Sequence, residues 1–93
     1  MPARIVFRAH ALQRMSERAI MPEDVIRILW TDETIERYPD DTPYPSRLVL
    51  GWARGRALHV VVADNAEQDT LIVVTVYEPD QSRWSADFRR RKT

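Results

Sequence analysis

The chain has 93 residues, the length of one small domain, and its 14 Lys and Arg residues balance its 14 Asp and Glu residues. The absence of cysteine excludes disulfide bonds, cysteine zinc sites and thiol catalysis. The formal net charge of zero excludes a uniformly basic nucleic-acid binder, although 13 of the 14 basic residues are Arg, which pairs readily with phosphate.

The chain begins with a short apolar run and a predicted amphipathic helix. Residues 5–7 form either a strand or the lead-in to that helix. The helix is predicted over residues 9–19, because apolar side chains share one side of it: Leu12, Met15 and Ala19. His10 and Arg14 lie one turn apart on the opposite, polar side.

A second helix is predicted to begin at Pro22, since proline suits the first position of a helix. Glu23 and Asp24 follow it and favour the positive end of the helix dipole. The helix then presents a broad apolar face, which consists of Val25, Ile26, Ile28, Leu29 and Trp30. The polar and charged run at 31–34 ends it.

Strand signals dominate the middle of the chain. Residues 35–38 are predicted to form a short strand that ends at Pro39, and the proline-rich stretch 39–45 predicts an ordered turn. The strongest strand patterns are rich in aliphatic and β-branched residues and cover 47–53, 56–63 and 70–77. Arg54 and Gly55 have the length of a two-residue hairpin loop.

Residues 81–88 are predicted to form a short C-terminal helix, and residues 89–93 a basic tail that either binds phosphate or is a disordered, solvated end. Residues 1–93 are therefore predicted to form a single α+β domain. In this fold class, two N-terminal helices pack as one layer on an antiparallel sheet of three to four strands, and a short C-terminal helix follows.

The two-residue hairpin loop also predicts the strand register. It places Leu50 opposite His59. If residues 65–68 form the next loop, His59 lies opposite Val74. His59 then belongs to the more apolar face of the sheet, and the other face, which has a more mixed rim, is predicted to be open.

The charged residues alternate in sign along the chain. Segments 1–21, 46–63 and 81–93 are net positive, whereas segments 22–45 and 64–80 are net negative. Folding either gathers the basic segments on one surface or interleaves them with the acidic ones. The first arrangement gives the molecule one basic surface that suits phosphate.

His10, Arg14 and Arg18 form a compact basic patch on the polar side of the first predicted helix. Arg donates paired hydrogen bonds to phosphate, and His can move a proton near neutral pH. The patch is either a site for phosphate chemistry or a solvated helix face.

His59 and Tyr77 lie on the predicted strands. His59 is the second side chain that can carry a proton near neutral pH, although a lone His among aliphatic residues is more often a hydrogen-bonded interior residue. Tyr77 ends the last strand, where its ring can pack and its hydroxyl can reach water. With two His residues and no paired carboxylates beside them, no metal ion or cofactor is expected.

Several segments resemble a bacterial family that is catalogued as a domain of unknown function. The resemblance rests on HALQRMSERAI at 10–20, YPDD at 38–41, YPS at 44–46, LHVVVA at 58–63 and TVYEPD at 75–80, together with Trp84. That family is grouped with the small RelE-, MqsR- and BrnT-like toxins of toxin–antitoxin pairs. The predicted order of two helices followed by a meander fits a RelE-like two-layer fold.

The resemblance implies a metal-independent endoribonuclease that cleaves mRNA, either alone or on the ribosome. Such cleavage needs a base for the 2′-hydroxyl proton, an acid for the 5′-oxygen and a cation on the phosphate. The residues predicted to be catalytic are His10, Arg14, His59 and Tyr77. Those predicted to bind RNA are Arg18, Arg47, Arg89, Arg90 and Arg91.

The resemblance also implies a partner, a cognate antitoxin that is a small zinc-finger protein. The sequence has no membrane-spanning apolar run and no signal-peptide pattern, so a cytoplasmic location is expected. The alternative hypothesis is a non-catalytic protein-interaction module of the same fold, and a third hypothesis is a homo-oligomeric structural protein.

Overall fold

The computed structural model describes residues 2–31 and 33–92, which form five strands and two helices. The strands are β1 (Arg4–Phe7), β2 (Glu33–Tyr38), β3 (Ser46–Ala53), β4 (Arg56–Asn65) and β5 (Thr70–Tyr77). The helices are α1 (Ala9–Glu17) and α2 (Pro22–Thr31), and both lie between β1 and β2 in the chain.

The five strands form one mixed sheet in the order β1-β5-β4-β3-β2. The strands from β2 to β5 pair antiparallel, whereas β1 pairs with β5 in parallel and places Arg4 opposite Thr70. The predicted fold class, with three to four antiparallel strands, is therefore wrong in strand number and in strand direction. β1 and β5 are the first and last strands in the sequence, and no short turn connects them. Local turn patterns therefore do not predict their parallel pairing.

The two helices cover one face of the sheet, where α1 packs against β5 and α2 against β3. Aliphatic side chains from both layers form the core, including Ala11, Met15, Val25, Leu29, Val49, Leu58, Val60, Val62 and Val73. Gly51 permits the close approach of α2 to β3, because a Cβ atom at this position would overlap the side chain of Ile28. This helix-covered face is the one that the predicted register left open, so that prediction is wrong.

α1 ends two residues before its predicted end, and its buried side differs from the predicted one. Ala11 and Met15 are buried, whereas Leu12 is 45% exposed. The chain leaves the helix after Glu17, and Ala19 adopts a positive φ of 54°. Because one residue turns a helix by about 100°, a small error in its orientation exchanges a buried for an exposed position.

α2 begins at Pro22, as predicted. Its buried Asp24 carboxylate accepts hydrogen bonds from Arg27 and Arg54, which ties the start of α2 to the β3–β4 hairpin. Trp30 was expected on the apolar face but is 62% exposed. Neither of the helices in the described residues is long and apolar enough to cross a membrane.

The β3–β4 hairpin has the predicted register, but the β4–β5 hairpin does not. Leu50 lies opposite His59, as predicted, whereas His59 lies opposite Tyr77 instead of Val74. The loop after β4 covers residues 66–69, and the pairing shifts by one residue at Val74, which forms a β-bulge. Beyond the bulge the side chains of β5 change face, so Tyr77 lies on the same face as His59.

Residues 78–92, called here the C-terminal segment, lie across the His59 face and form an irregular loop. The predicted helix at 81–88 is therefore wrong. An isolated antiparallel bridge joins Trp84 to Arg91, and Phe88 adopts a positive φ of 62°. A bulky residue with a positive φ does not fit within a helix. Trp84 and Phe88 instead contact aromatic side chains of the sheet.

Candidate active site beneath the C-terminal segment

A histidine–tyrosine pair lies on the face of the sheet opposite the helices. His59, in β4, is fully buried, and Tyr77 lies directly opposite it at the end of β5. The hydroxyl oxygen of Tyr77 is 3.2 Å from Nδ1 of His59. On the other side of the ring, Nε2 of His59 is 2.9 Å from the backbone carbonyl oxygen of Phe88.

These two contacts determine which nitrogen of His59 carries the proton. The Phe88 carbonyl can only accept a hydrogen bond, so Nε2 donates to it. In the neutral ring Nδ1 is then an acceptor, and the Tyr77 hydroxyl donates to it. The lone pairs of the Tyr77 oxygen remain able to accept a hydrogen bond from a ligand.

Burial keeps both members of the pair in their neutral forms at neutral pH. Desolvation lowers the pKa of His59 below its ordinary value of 6.5, although the Phe88 carbonyl and the Glu36 carboxylate act in the opposite direction. Desolvation also raises the pKa of Tyr77 above 10.0. His59 is therefore an uncharged base, and Tyr77 is an uncharged hydroxyl attached to it by a hydrogen bond.

Glu36 of β2 and Arg91 of the C-terminal segment form an ion pair beside the two rings. Nε and Nη2 of Arg91 lie 2.9 and 3.2 Å from the two carboxylate oxygens, which is a bidentate geometry. Burial opposes ionisation of Glu36, but hydrogen bonds from Arg91 and Tyr38 outweigh it and lower the pKa of this carboxyl. The same carboxylate raises the pKa of Arg91, so both groups are charged at neutral pH.

Aromatic side chains of the C-terminal segment cover the pair. The rings of Trp84 and His59 meet edge to face, with centroids 4.4 Å apart. The guanidinium of Arg91 lies 4.7 Å from the centroid of the Trp84 ring, which is a cation–π contact. Phe88 packs edge-on against Trp52 at 6.0 Å. Together these contacts exclude water from the imidazole.

An open pocket of about 330 Å³ lies beside the covered pair. Tyr77 lines it together with Arg83 and Arg91, while Glu78 and Asp80 add two carboxylates. Tyr77 thus belongs both to the pocket and to the buried pair. The tyrosine whose hydroxyl is hydrogen-bonded to a neutral base therefore lines the same pocket as two arginines, whose guanidinium groups suit phosphate. Within residues 2–31 and 33–92, no group of three or more metal-ligating side chains is placed to hold a metal ion.

His10, Arg14 and Arg18 lie in the other layer of the molecule. All three are exposed, on α1 or directly after it, and α1 packs on the face of the sheet opposite His59. The structure therefore brings His59 and Tyr77 together, and it separates His10 and Arg14 from them by the thickness of the sheet.

Arg47 and Arg90, both predicted to bind RNA, have contrasting environments. The side chain of Arg47 is 12% exposed, and its Nε lies 3.2 Å from a carboxylate oxygen of Asp64. Arg47 also donates a hydrogen bond to Thr34 at 3.2 Å. Arg90 is exposed to solvent. An RNA phosphate would compete with Asp64 for Arg47, whereas it could approach Arg90 directly.

Arg89 and Arg91, also predicted to bind RNA, are held against the edge strand β2. Arg89 donates two hydrogen bonds to Glu33, as Arg91 does to Glu36. The basic tail predicted at 89–93 is thus attached to the sheet by two ion pairs. The last residue of that tail lies outside the described residues.

Residues 7–78 match a protein family described as Domain of unknown function (DUF4258). The match covers most of the chain, from the end of β1 to the residue after β5. The chain belongs to the DUF4258 family. No curated protein and no solved structure matches it.

The DUF4258 match separates the buried pair from its cover. His59, Tyr77 and Glu36 lie within the matched residues, whereas Trp84 and Arg91 follow residue 78 and lie outside them. The residues of the candidate site that lie on the sheet therefore belong to the DUF4258 portion of the chain. The aromatic cover and both pocket arginines come from the C-terminal segment.

Sequence reasoning missed Glu36 as a neighbour of His59, and Tyr38 as the hydrogen-bond partner of Glu36. A strand was predicted at 35–38, and β2 begins two residues earlier, at Glu33. The edge position of β2 and its pairing with β3 depend on contacts between distant residues. A carboxylate at 36 and an arginine at 91 carry no local signal that they meet. The charge alternation along the chain was the only pattern related to this contact.

Proposed function

We propose that this chain is a metal-independent endoribonuclease that acts on mRNA as the toxin of a toxin–antitoxin pair. The observation that carries the proposal is the hydrogen bond between Tyr77 and the neutral His59, at a pocket lined by Arg83 and Arg91. This arrangement offers a base and two guanidinium groups that suit a phosphate within one small volume, which the carboxylates of Glu78 and Asp80 also line. RNA supplies both reacting groups, because its 2′-hydroxyl lies next to the phosphate that it attacks.

In the proposed reaction, the His59–Tyr77 pair acts as the base. A 2′-hydroxyl in the pocket donates its proton to the Tyr77 oxygen, while Tyr77 passes its own proton to Nδ1 of His59. The 2′-oxygen attacks phosphorus, the bond to the 5′-oxygen breaks, and a cyclic phosphate forms. Water in the pocket protonates the departing oxygen, and the hydroxide produced removes the extra proton from His59 through Tyr77.

The charged neighbours of the pair support this reaction in two ways. The Glu36 carboxylate favours the charged form of His59, against the opposing effects of burial and of Arg91 on its pKa, and thereby stabilises the imidazolium that forms during the reaction. Arg83 and Arg91 line the pocket with Tyr77 and would donate hydrogen bonds to the phosphate, while Glu36 already balances the charge of Arg91. Glu36 and the Trp84 ring hold Arg91 in place.

The proposed biological setting follows from the family resemblance. The substrate is mRNA, either free or bound to the ribosome, and the partner is a cognate antitoxin of the small zinc-finger type. The proposed location is the cytoplasm. His10 and Arg14 take no part in the proposed chemistry, because they lie on the other side of the sheet.

The test is cleavage of a labelled single-stranded RNA by the purified protein, with and without EDTA. We expect cleavage in both conditions, and we expect Tyr77→Phe to lower the rate about 10²- to 10⁴-fold, as for loss of a general base. Tyr38→Phe is the matched control, since it removes the same atom from a tyrosine that hydrogen-bonds to Glu36. An unchanged rate in Tyr77→Phe, or cleavage that requires added metal, would contradict the proposal.

A second candidate function is a non-catalytic protein-interaction module, and one observation favours it. Both nitrogens of His59 have protein partners, and the ring is fully buried, as in many structural histidines. Expression of the wild type and of Tyr77→Phe in bacterial cells separates the two functions. A nuclease arrests growth and Tyr77→Phe relieves the arrest, whereas a binding module leaves growth unchanged.

A further inference from the structure

Two clefts lie on the Tyr77 face of the sheet, toward the β1 edge. One has a volume of about 410 Å³ and is lined by Arg4, Arg8 and Ile72. The other, of about 360 Å³, extends from Arg8 across Val74 and Val61 to residues 41–46, where Asp41 contributes a carboxylate. Because Arg8 lines both clefts, they adjoin, and we call them together the β1 track.

Arg4, in β1, and Arg8, which follows β1 in an extended conformation, face the β1 track because they alternate with Ile5 and Phe7, which pack against the core. Both arginines are exposed. Neither forms an ion pair with another residue in the ranges 2–31 and 33–92. They differ in this respect from Arg89 and Arg91, whose charges on the same face are already matched by carboxylates.

Arg4 and Arg8 lie at different positions along β5, on the face of the sheet that holds the candidate active site. The N–H of Arg8 donates to the carbonyl of Val73 at 3.0 Å, and Arg4 lies opposite Thr70. At about 3.3 Å per strand residue, these two points lie roughly 13 and 23 Å from Tyr77 along β5. The two unmatched cations are therefore placed at increasing distance from the pocket, on the same face.

We propose that Arg4 and Arg8 bind backbone phosphates of single-stranded RNA that extends from the Tyr77 pocket along the β1 track. The inference rests on the endoribonuclease function proposed above. An enzyme that cuts inside a strand must accommodate nucleotides on both sides of the reacting phosphate. The β1 track lies on the same face of the sheet as the pocket, and its two arginines supply the positive charge that such a strand requires.

The chemistry of the track favours a nucleic acid over an acidic protein. Arg offers a planar fork that matches two phosphate oxygens at once, and the separation of the two side chains along β1 suits a repeating charge. Val6, Ile72 and Val74 form a flat aliphatic floor that sugar and base surfaces can contact. An acidic polypeptide on this track is the alternative that the experiment below distinguishes.

The experiment measures binding separately from cleavage. The probe is a fluorescent single-stranded RNA of mixed sequence with 2′-O-methyl groups, which cannot be cut through its 2′-oxygen. Fluorescence anisotropy at several salt concentrations gives the affinity and its salt dependence. We expect Arg4→Ala and Arg8→Ala each to weaken binding severalfold to about tenfold and to reduce the slope of log affinity against log salt by about 0.7.

Arg37→Ala is the matched control, because Arg37 is an exposed arginine on the other edge strand, β2. Arg37 lies opposite Arg47 of β3, which lies opposite the core residue Val62 of β4. It therefore lies on the helix side of the sheet, and we expect no change in affinity or slope. Arg8→Lys keeps the charge without the fork and should give an intermediate affinity. Thermal unfolding of each variant shows that the protein remains folded.

A dinucleotide substrate distinguishes failure of this inference from failure of the proposed function. It is too short to reach Arg8, so Arg4→Ala and Arg8→Ala should cleave it at the wild-type rate while they cleave long RNA more slowly. RNA binding that depends on both arginines, without cleavage of unmodified RNA, would retain the track and reject the nuclease. Normal cleavage with unchanged affinity and slope in both variants would overturn the track. The RNA proposal would also be overturned if Arg4→Ala and Arg8→Ala lost binding to poly-glutamate, used as a model acidic polypeptide, while their RNA binding stayed intact.

Discussion

The two faces of the sheet are covered by different means. On one face, α1 and α2 bury a continuous aliphatic core in which Leu58 and Val60 have no exposed surface. On the other face, the irregular C-terminal segment covers His59 through one backbone hydrogen bond, ring contacts and ion pairs with β2. The first cover relies on apolar burial, whereas the second combines burial of Leu48, Leu50 and Trp84 with polar contacts.

This contrast predicts that the two faces contribute unequally to stability. Apolar burial contributes about 1.5–3 kcal/mol for each large side chain, whereas exposed ion pairs contribute little. The helix-covered face buries the larger apolar cluster, so we expect it to dominate the free energy of unfolding. The face covered by the C-terminal segment holds the candidate site.

The largest expected effect is on the helix-covered face. Leu58→Ala should lower the free energy of unfolding by about 2–5 kcal/mol, because it leaves a cavity in the core. Denaturant unfolding followed by circular dichroism measures the change. Leu12→Ala is the control, since it removes the same atoms from a side chain that is 45% exposed. Similar losses in both variants would contradict the assignment of the core.

Gly51→Ala should have the next largest effect, about 1–3 kcal/mol, because the added methyl group overlaps Ile28 and pushes α2 from β3. The double variant Gly51→Ala with Ile28→Ala should lose less than the sum of the single variants, since the smaller side chain makes room. Calorimetric unfolding of all four proteins gives the coupling. Strict additivity would show that the two residues are not in contact.

The pH dependence of stability tests the other face. Because the pKa of His59 is lowered on folding, the unfolded chain binds a proton that the folded chain does not. Stability is therefore full above about pH 6.5 and falls as the pH drops below that value, by at most about 1.4 kcal/mol per pH unit for this group. Denaturant unfolding between pH 5 and pH 8 measures the slope.

His59→Gln should remove this part of the slope, since glutamine can donate to the Phe88 carbonyl but does not titrate. His10→Gln is the matched control, because it removes an exposed imidazole. An identical slope in the wild type and in His59→Gln would show that the burial of His59 is not maintained in solution.

The smallest expected effect belongs to the attachment of the C-terminal segment. Glu36→Gln removes the ion pair with Arg91 and should change the free energy of unfolding by no more than about 1 kcal/mol, and less at high salt. Urea unfolding at low and high salt measures it. A loss as large as that of Leu58→Ala would show that both faces contribute equally to stability.

Local sequence patterns predicted several elements correctly because they act over short distances. Pro22 at the start of α2, the turn of the β3–β4 hairpin and the position of Leu50 opposite His59 all follow from neighbouring residues. Local patterns did not predict which side of α1 is buried or how the end of β5 pairs, because both depend on tertiary contacts. The bulge at Val74 inserts one residue, and strand alternation beyond it is then reversed.

The candidate site was predictable only in part. His59 and Tyr77 were identified by their chemistry, since few side chains in the chain can move a proton. Their contact depends on the bulge, and the contribution of Arg91 depends on how the C-terminal segment folds back over β2. The expected grouping of His10 with His59 did not arise, because α1 packs on the opposite face of the sheet.

The zero net charge of the chain also shows what the sequence determines and what only tertiary contacts decide. Composition alone establishes that the protein is not uniformly basic, and that its positive charge is almost entirely Arg. Which arginines keep their charge available depends on tertiary contacts, since Arg89 and Arg91 meet carboxylates of β2 while Arg4 and Arg8 remain exposed. Local patterns act between neighbouring residues, whereas charge pairing and the shape of a site arise from residues that only folding brings together.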